Sequence, residues 1–197
     1  MLSRLLRALA LPAAVLAAGC ASYDHVQEQC YGLASRGLVG ESLERLEQSS
    51  LARRDRDRLL YLMEKGTLLH LKGAYRQSNE VLEAADRLFE ELFTRSVSAE
   101  TLSFATNDTV IPYAGADYES VYLNYYKILN YLALGETSDA AVEARRIDEK
   151  LNWFTDRYGE EHAFREDAFL RLLTGLVYEA QGDANNALVA YRKALEA

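Results

Sequence analysis

The sequence predicts an all-α protein, an array of helical hairpins that carries one long non-helical insert. Three observations lead there. Only two prolines, Pro12 and Pro112, occur in 197 residues, so nearly all of the chain lacks the residue that breaks helices. One spacing of residues recurs four times along the chain, with glycine always at the same place. Finally, 49% hydrophobic and 26% charged residues supply one real core, and the length is too small for two large domains.

The N-terminus comes first. Arg4 and Arg7 precede an uncharged, mostly apolar run from Ala8 to Gly19. That run is of export-signal length and too short to span a bilayer as a mature helix. It ends in Leu16-Ala17-Ala18-Gly19-Cys20, where small residues before a cysteine admit a peptidase and the thiol can accept a diacylglycerol. This run resembles a bacterial lipobox, with Ala17 where such boxes prefer leucine and Leu16 one step earlier. The resemblance implies a signal peptide over 1–19, a lipidated anchor at 20–22 and acylation of Cys20, including palmitate. Several acyl chains anchor where one does not, because each buried methylene adds about 0.8 kcal/mol. Ala21 follows the cysteine, and by the rule of enteric-type bacteria the destination is then the outer membrane, facing the periplasm. The mature chain keeps 20 basic against 30 acidic residues, a net charge of −10. An acidic chain with a pI near 5.0 argues against nucleic acid as a partner.

The hairpins follow. From Gly66, residues Leu69, Gly73, Ser78, Leu82 and Ala85 fall at offsets 3, 7, 12, 16 and 19. Gly175 begins the same series with Tyr178, Gly182, Ala187, Tyr191 and Ala194; Ile128 begins it with Tyr131, Gly135, Ala140, Ala144 and Ile147. Cys30 begins a fainter copy through Leu33, Gly37, Ser42, Leu46 and Ser49. Offsets 0, 3 and 7 run down one face of a first helix, and the glycine at 7 ends it in the left-handed conformation. Offsets 12, 16 and 19 form the buried stripe of a second helix. The small residues at 0 and 12 let the two helices approach. The series resembles the tetratricopeptide repeat, most closely from Leu172 to Leu195. That repeat is about 34 residues long. The origins here are 36, 62 and 47 residues apart, so the second and third steps carry insertions. The domain is expected to cover 23–197. Ala197 falls inside the last second helix, so the array is expected to be truncated or to pack on a partner there. Cys30, without a partner once Cys20 is acylated, is expected to be a buried thiol.

The insert spans 94–119 and reads as turns around an extended Val110-Ile111-Pro112. Six tyrosines then fall between Tyr113 and Tyr131. On a helix Tyr118, Tyr122 and Tyr125 share one face, and Asn124 and Tyr131 another, so one face is core and the other is open to a ligand. The run Tyr113 to Leu134, with Ala141-Val142-Glu143-Ala144-Arg145-Arg146 behind it, is similar to an uncharacterised family of bacterial lipoproteins with helical repeats. Its members are often encoded beside lipoproteins resembling curli-secretion or penicillin-binding-protein-activator components. The resemblance implies an envelope location and no particular activity.

Nothing in the chain assembles a catalytic constellation or a cofactor motif. His25, His70 and His162 are far apart, and no histidine lies at metal-ligand spacing from another. The expectation is a non-enzymatic interaction scaffold in envelope biogenesis or secretion, needing no cofactor, that binds an envelope protein or peptide in the concave groove of the array. The alternative is a glycan-binding module for peptidoglycan or an exported polysaccharide. The candidate partner-binding residues are Tyr122, Asn124, Tyr126, Arg145 and Arg146: hydroxyl-tipped rings suited to half-wet surfaces, an amide, and two cations able to hold a carboxylate. Arg145 and Arg146, with Glu143 and Asp148 near them, otherwise read as a solvated helix face.

Overall fold

The computed structural model describes residues 22–99, 112–158 and 167–197. The expected signal peptide, Cys20 and the middle of the expected insert lie outside these residues. Eight α-helices follow one another among the described residues: α1 (Ser22–Ala34), α2 (Val39–Glu47), α3 (Arg58–Leu71), α4 (Tyr75–Ala99), α5 (Asp117–Ala133), α6 (Thr137–Tyr158), α7 (Ala168–Ala180) and α8 (Ala184–Glu196). Two 3-10 turns, Leu51–Arg53 and Asp55–Asp57, lead into α3. No strand occurs among the described residues, and no helix there is long and apolar enough to cross a membrane.

The four series are four hairpins: α1–α2, α3–α4, α5–α6 and α7–α8. Their turns are built alike. The glycine at offset 7 has φ of 80° at Gly37, 78° at Gly73, 74° at Gly135 and 77° at Gly182, a region that side chains with a Cβ avoid. In each turn the following residue donates its backbone N–H to the carbonyl at offset 3. These bonds are Leu38 to Leu33 at 3.0 Å, Ala74 to Leu69 at 2.9 Å, Glu136 to Tyr131 at 2.8 Å and Asp183 to Tyr178 at 2.9 Å. Orphan carbonyls at each helix end are thereby satisfied, and the chain reverses within three residues, or four in the first hairpin.

Within a hairpin, the pairing of offsets 0 and 16 is a matter of size. A Cβ on Gly66 would overlap the Leu82 side chain, and one on Gly175 would overlap the Tyr191 ring. In the third hairpin the sizes are exchanged, with Ile128 at offset 0 and Ala144 at offset 16, both fully buried. In the first two hairpins the serine at offset 12 also donates its hydroxyl to the carbonyl at offset 0, Ser42 to Cys30 at 2.8 Å and Ser78 to Gly66 at 2.7 Å. Cys30 is a free, buried thiol, 2% exposed, and burial raises its pKa. The expectation for this residue is met: it joins the apolar cluster of the first two hairpins, and its thiol donates to the Ser42 carbonyl at 3.7 Å.

Each helix packs on the next, and α3 also touches α5. Tyr23 on α1 donates to Glu64 on α3 at 3.3 Å. The first helices of the first three hairpins thus stand side by side, as in an antiparallel helical array. The apolar core falls into two clusters. One gathers Cys30, Leu46, Leu59, Leu68, Leu82 and Phe89 from the first two hairpins, with Leu123 of α5 added. The other gathers Ile128, Ile147, Leu151, Leu170 and Val177 from the last two. What lies between the two clusters is polar.

The helix α4 runs to Ala99, six residues into the stretch expected to be an insert starting at 94. Residues 94–99, Thr-Arg-Ser-Val-Ser-Ala, contain no breaker, and the turn signals begin only beyond them. Before α5, residues 112–116 are non-helical, and the Tyr113 N–H donates to the Arg56 carbonyl at 2.9 Å. The alternating Arg54 to Arg58 run, which reads as a solvated helix start, is thereby pinned to the end of the insert. Gly115, at φ 81°, lets this segment pass close beneath Phe89 and Leu59.

Candidate functional site

Helix α5 has two faces that matter, and the period of the helix separates them. One points into the contact between the second and third hairpins and is charged. The other points to the side formed by α1 and α3 and is rich in tyrosine.

The charged face is centred on Lys127, only 1% exposed. Its ammonium lies 3.0 Å from Glu83 and 2.8 Å from Asp86, both on α4, and 3.0 Å from Glu143 on α6. Lys150 on α6 donates to Asp86 at 2.8 Å, to the Ser120 carbonyl at 2.9 Å and to the Asn124 side-chain oxygen at 2.8 Å. The Asn124 amide donates in turn to Glu143 at 2.7 Å. Arg146 closes the layer, 3.1 Å from Glu83 and 3.2 Å from Glu143. One turn further along α5, the Asn130 side-chain nitrogen donates to Ser78 at 2.9 Å and to Asn79 at 2.8 Å, and its oxygen accepts from His70 Nδ1 at 2.7 Å.

Burial alone would neutralise these groups, and their mutual charges override it at most positions. Burial pushes the Asp86 carboxyl up, but Lys150 and Lys127 hold it below its ordinary range. Burial also pulls Lys127 down, but Asp86 and Glu143 hold it above the lysine range. At Glu83 burial is again outweighed, by Lys127 and Arg146, and the pKa falls. Lys150 is the exception: burial wins over Asp86 and lowers it. A smaller version of this layer joins the third and fourth hairpins. There the fully buried Arg171 meets Asp148 at 2.5 Å and Asn152 at 3.1 Å, and the Tyr178 hydroxyl donates to Asp148 at 2.8 Å.

The tyrosine face lines a cleft of about 280 Å³ between α1, α3 and α5. Tyr23 and Tyr31 come from α1, Glu64 and Thr67 from α3, and Tyr118, Tyr122 and Tyr126 from α5. The rings are half-wet, with Tyr31 at 47%, Tyr118 at 43% and Tyr122 at 38% exposure. Tyr126 lies deeper, edge-on to His70 at 5.2 Å and to Tyr125 at 5.1 Å between ring centres. Two carboxylates share the cleft. Glu119 is occupied with holding the start of α5, accepting from the Ala116 N–H at 2.7 Å and the Tyr113 hydroxyl at 2.6 Å. Among the described residues, Glu64 accepts a single bond, from Tyr23 at 3.3 Å, and burial, with Glu119 nearby, raises its pKa.

The five predicted residues therefore do not form one site. Tyr122 and Tyr126 line the cleft. Asn124 is fully buried in the charged layer, with its amide taken up by Glu143 and Lys150, and offers nothing to a partner. Arg146 is committed to Glu83 and Glu143 in the same layer rather than to an incoming carboxylate. Arg145 is exposed on the side of α6 nearer Tyr178, away from the cleft. The solvated-face reading of Glu143 fails too, since it is 4% exposed. Sequence reasoning missed Glu64, Tyr23 and Tyr31 because they lie on other hairpins. Glu64 and Tyr31 do share a signal, since each sits beside a series position, two before Gly66 and one after Cys30.

A second and larger hollow, of about 520 Å³, lies among α4, α6 and the start of α5. Its aromatic wall is already engaged internally. Phe93 and Trp153 meet edge to face at 5.3 Å, and the Arg157 guanidinium covers both rings at 5.3 and 5.1 Å. Among the described residues no three His, Cys, Asp or Glu side chains gather as metal ligands would.

No protein-family model matches this chain, and no curated protein matches it. Among solved structures, the crystal structure of kinesin light chain TPR-like repeats from Podosopora anserina aligns with 88% of this chain and 93% of that one. The identity is 15% and the TM-score 0.35. The array is defined by its four turns, built alike, and by its packing order.

Proposed function

We propose that this chain is an interaction scaffold, held to the outer membrane by an acylated Cys20 and facing the periplasm, that seats a partner peptide in the cleft between α1, α3 and α5. The observation that carries the reading is the cleft itself. Three successive hairpins each contribute their first helix to it, and tyrosine, an amphipathic side chain that loses little entropy on binding, dominates its rim. The anchor and the location are supported by the sequence from Leu16 to Cys20 and by the Ala21 that follows. A role in envelope biogenesis or secretion fits that address.

Two experiments test the two halves. A photo-crosslinking amino acid placed at Tyr122 in living cells is expected to trap one discrete protein, and the same group at the exposed Asp156 on α6 is not. Equal trapping from both positions overturns the groove. Adducts made only of sacculus fragments replace it with the glycan-binding reading. Metabolic labelling with palmitate is expected to mark the wild type and to fail with Cys20→Ser; a label that persists overturns the anchor.

A further inference from the structure

This inference rests on the cleft as the partner's seat and specifies the chemistry that fits it. At several other places in the molecule, aromatic faces and carboxylates are matched by the protein's own cations. Arg58 and Lys65 lie over Tyr61 at 5.4 and 5.6 Å, Arg157 lies over Phe93 and Trp153, and Asp86 and Glu143 are held by Lys127. The cleft is different. Among the described residues that line it there is no lysine or arginine, although it holds five tyrosines and the carboxylates of Glu64 and Glu119. Glu119 is engaged with the start of α5, which leaves Glu64, half-buried on the α3 wall, as the negative group facing the cleft.

We infer that the cleft takes a lysine or arginine side chain of the partner peptide, with its aliphatic stem along the tyrosine rings and its cation against the Glu64 carboxylate. A cation bound there gains twice, from the quadrupole of the rings and from a partly desolvated charge. It also removes a cost of the empty state. Glu64 is raised in pKa by burial, with Glu119 adding like-charge repulsion, so an arriving positive charge stabilises the ionised form. The net charge of the mature chain, 20 basic against 30 acidic residues or −10, steers a basic segment toward the protein at long range. The occupant is thus a basic peptide, whereas a neutral sugar would leave Glu64 unmatched.

The test is selection of binders from a random dodecapeptide display library on the full-length protein in detergent micelles. The expected result is a family of sequences with lysine or arginine fixed at one position, whose binding weakens with salt and is lost with Tyr122→Ala. Glu64→Gln should weaken a selected peptide about tenfold, the size of one charge-assisted contact. Replacing the fixed lysine of the peptide by norleucine should weaken it equally on the unaltered protein, which separates recognition from any effect of the variant on folding. Selected peptides that depend on Tyr122 but carry no fixed cation would overturn this inference and leave the groove standing. Failure to select any Tyr122-dependent peptide would overturn both.

Discussion

The two faces of α5 treat charge in opposite ways, and the difference separates structure from function. On the face turned toward α4 and α6, Lys127, Asn124 and Asn130 each find partners in full. On the face turned toward α1 and α3, the Glu64 carboxylate meets one weak hydroxyl donor and another carboxylate. Asp86 and Glu64 make the contrast sharp. Both are withdrawn from water, yet neighbouring cations hold the first below its ordinary pKa while burial holds the second above it. Saturated charge sets the relative position of two hairpins. Unsaturated charge beside half-exposed tyrosines is what the proposed seat offers a cation.

The largest effect is expected where the saturated layer is broken. Lys127→Met removes the buried cation that Asp86 and Glu143 share, leaving only Lys150 and Arg146 against the carboxylates of the layer, and should cost about 3–5 kcal/mol in urea unfolding. Replacing Lys127, Asp86 and Glu143 together with Lys150 by apolar residues of similar volume should recover most of that loss, since an ion cluster paired so completely contributes position more than net stability. Arg171→Met in the smaller layer should cost less, about 1–3 kcal/mol, because Asp148 is partly solvated and keeps the Tyr178 hydroxyl. If the two variants prove equal, depth of burial is not what distinguishes the layers.

Acid unfolding tests the same contrast through its sign. Asp86 and Glu83 have folded pKa values below their unfolded ones, near 3.9 and 4.3, so they contribute stability at neutral pH that is lost as pH falls through the folded values. Glu64 runs the other way. Its folded pKa is raised, so its contribution is present below the unfolded value and lost as pH rises through the folded one. Glu64→Gln should therefore raise the melting temperature slightly at pH 7, with the gain fading toward pH 4. A loss of stability at pH 7 would mean that Glu64 is structurally satisfied. The smallest effect on folding is expected from Tyr122→Ala, within about 0.5 kcal/mol, because a half-exposed ring at a rim supports little packing. The same variant should abolish peptide binding.

The hairpins were legible because their signals are local. Gly37, Gly73, Gly135 and Gly182 lie in the positive-φ turns that offset 7 predicts, and offsets 12 and 16 land on the stripe that faces the first helix. The charged layer was not legible. Asp86, Lys127 and Glu143 lie 41 and 16 residues apart, and each reads by itself as an ordinary polar position on a helix surface. The Asn124 face of α5 could not be told from the Tyr122 face for the same reason. An amide counts as polar, so hydrophobic periodicity places tyrosine inside and asparagine outside, and here the arrangement is reversed by partners on α4 and α6. Adjacent arginines posed a related problem. Arg145 and Arg146 point to different neighbours because consecutive residues on a helix are turned by a little over a quarter of the circle.

By itself, then, the sequence determined the helices, their turns and the buried stripe at offsets 12 and 16, all of which depend on residues within one hairpin. The tertiary structure alone decided which polar groups are buried, which tyrosines converge, and where a carboxylate is left without a cation. The physical reason is range. Backbone conformation and packing across a tight turn are set by neighbours along the chain, whereas the solvation and pairing of a charge are set by whatever the stacking of hairpins brings beside it.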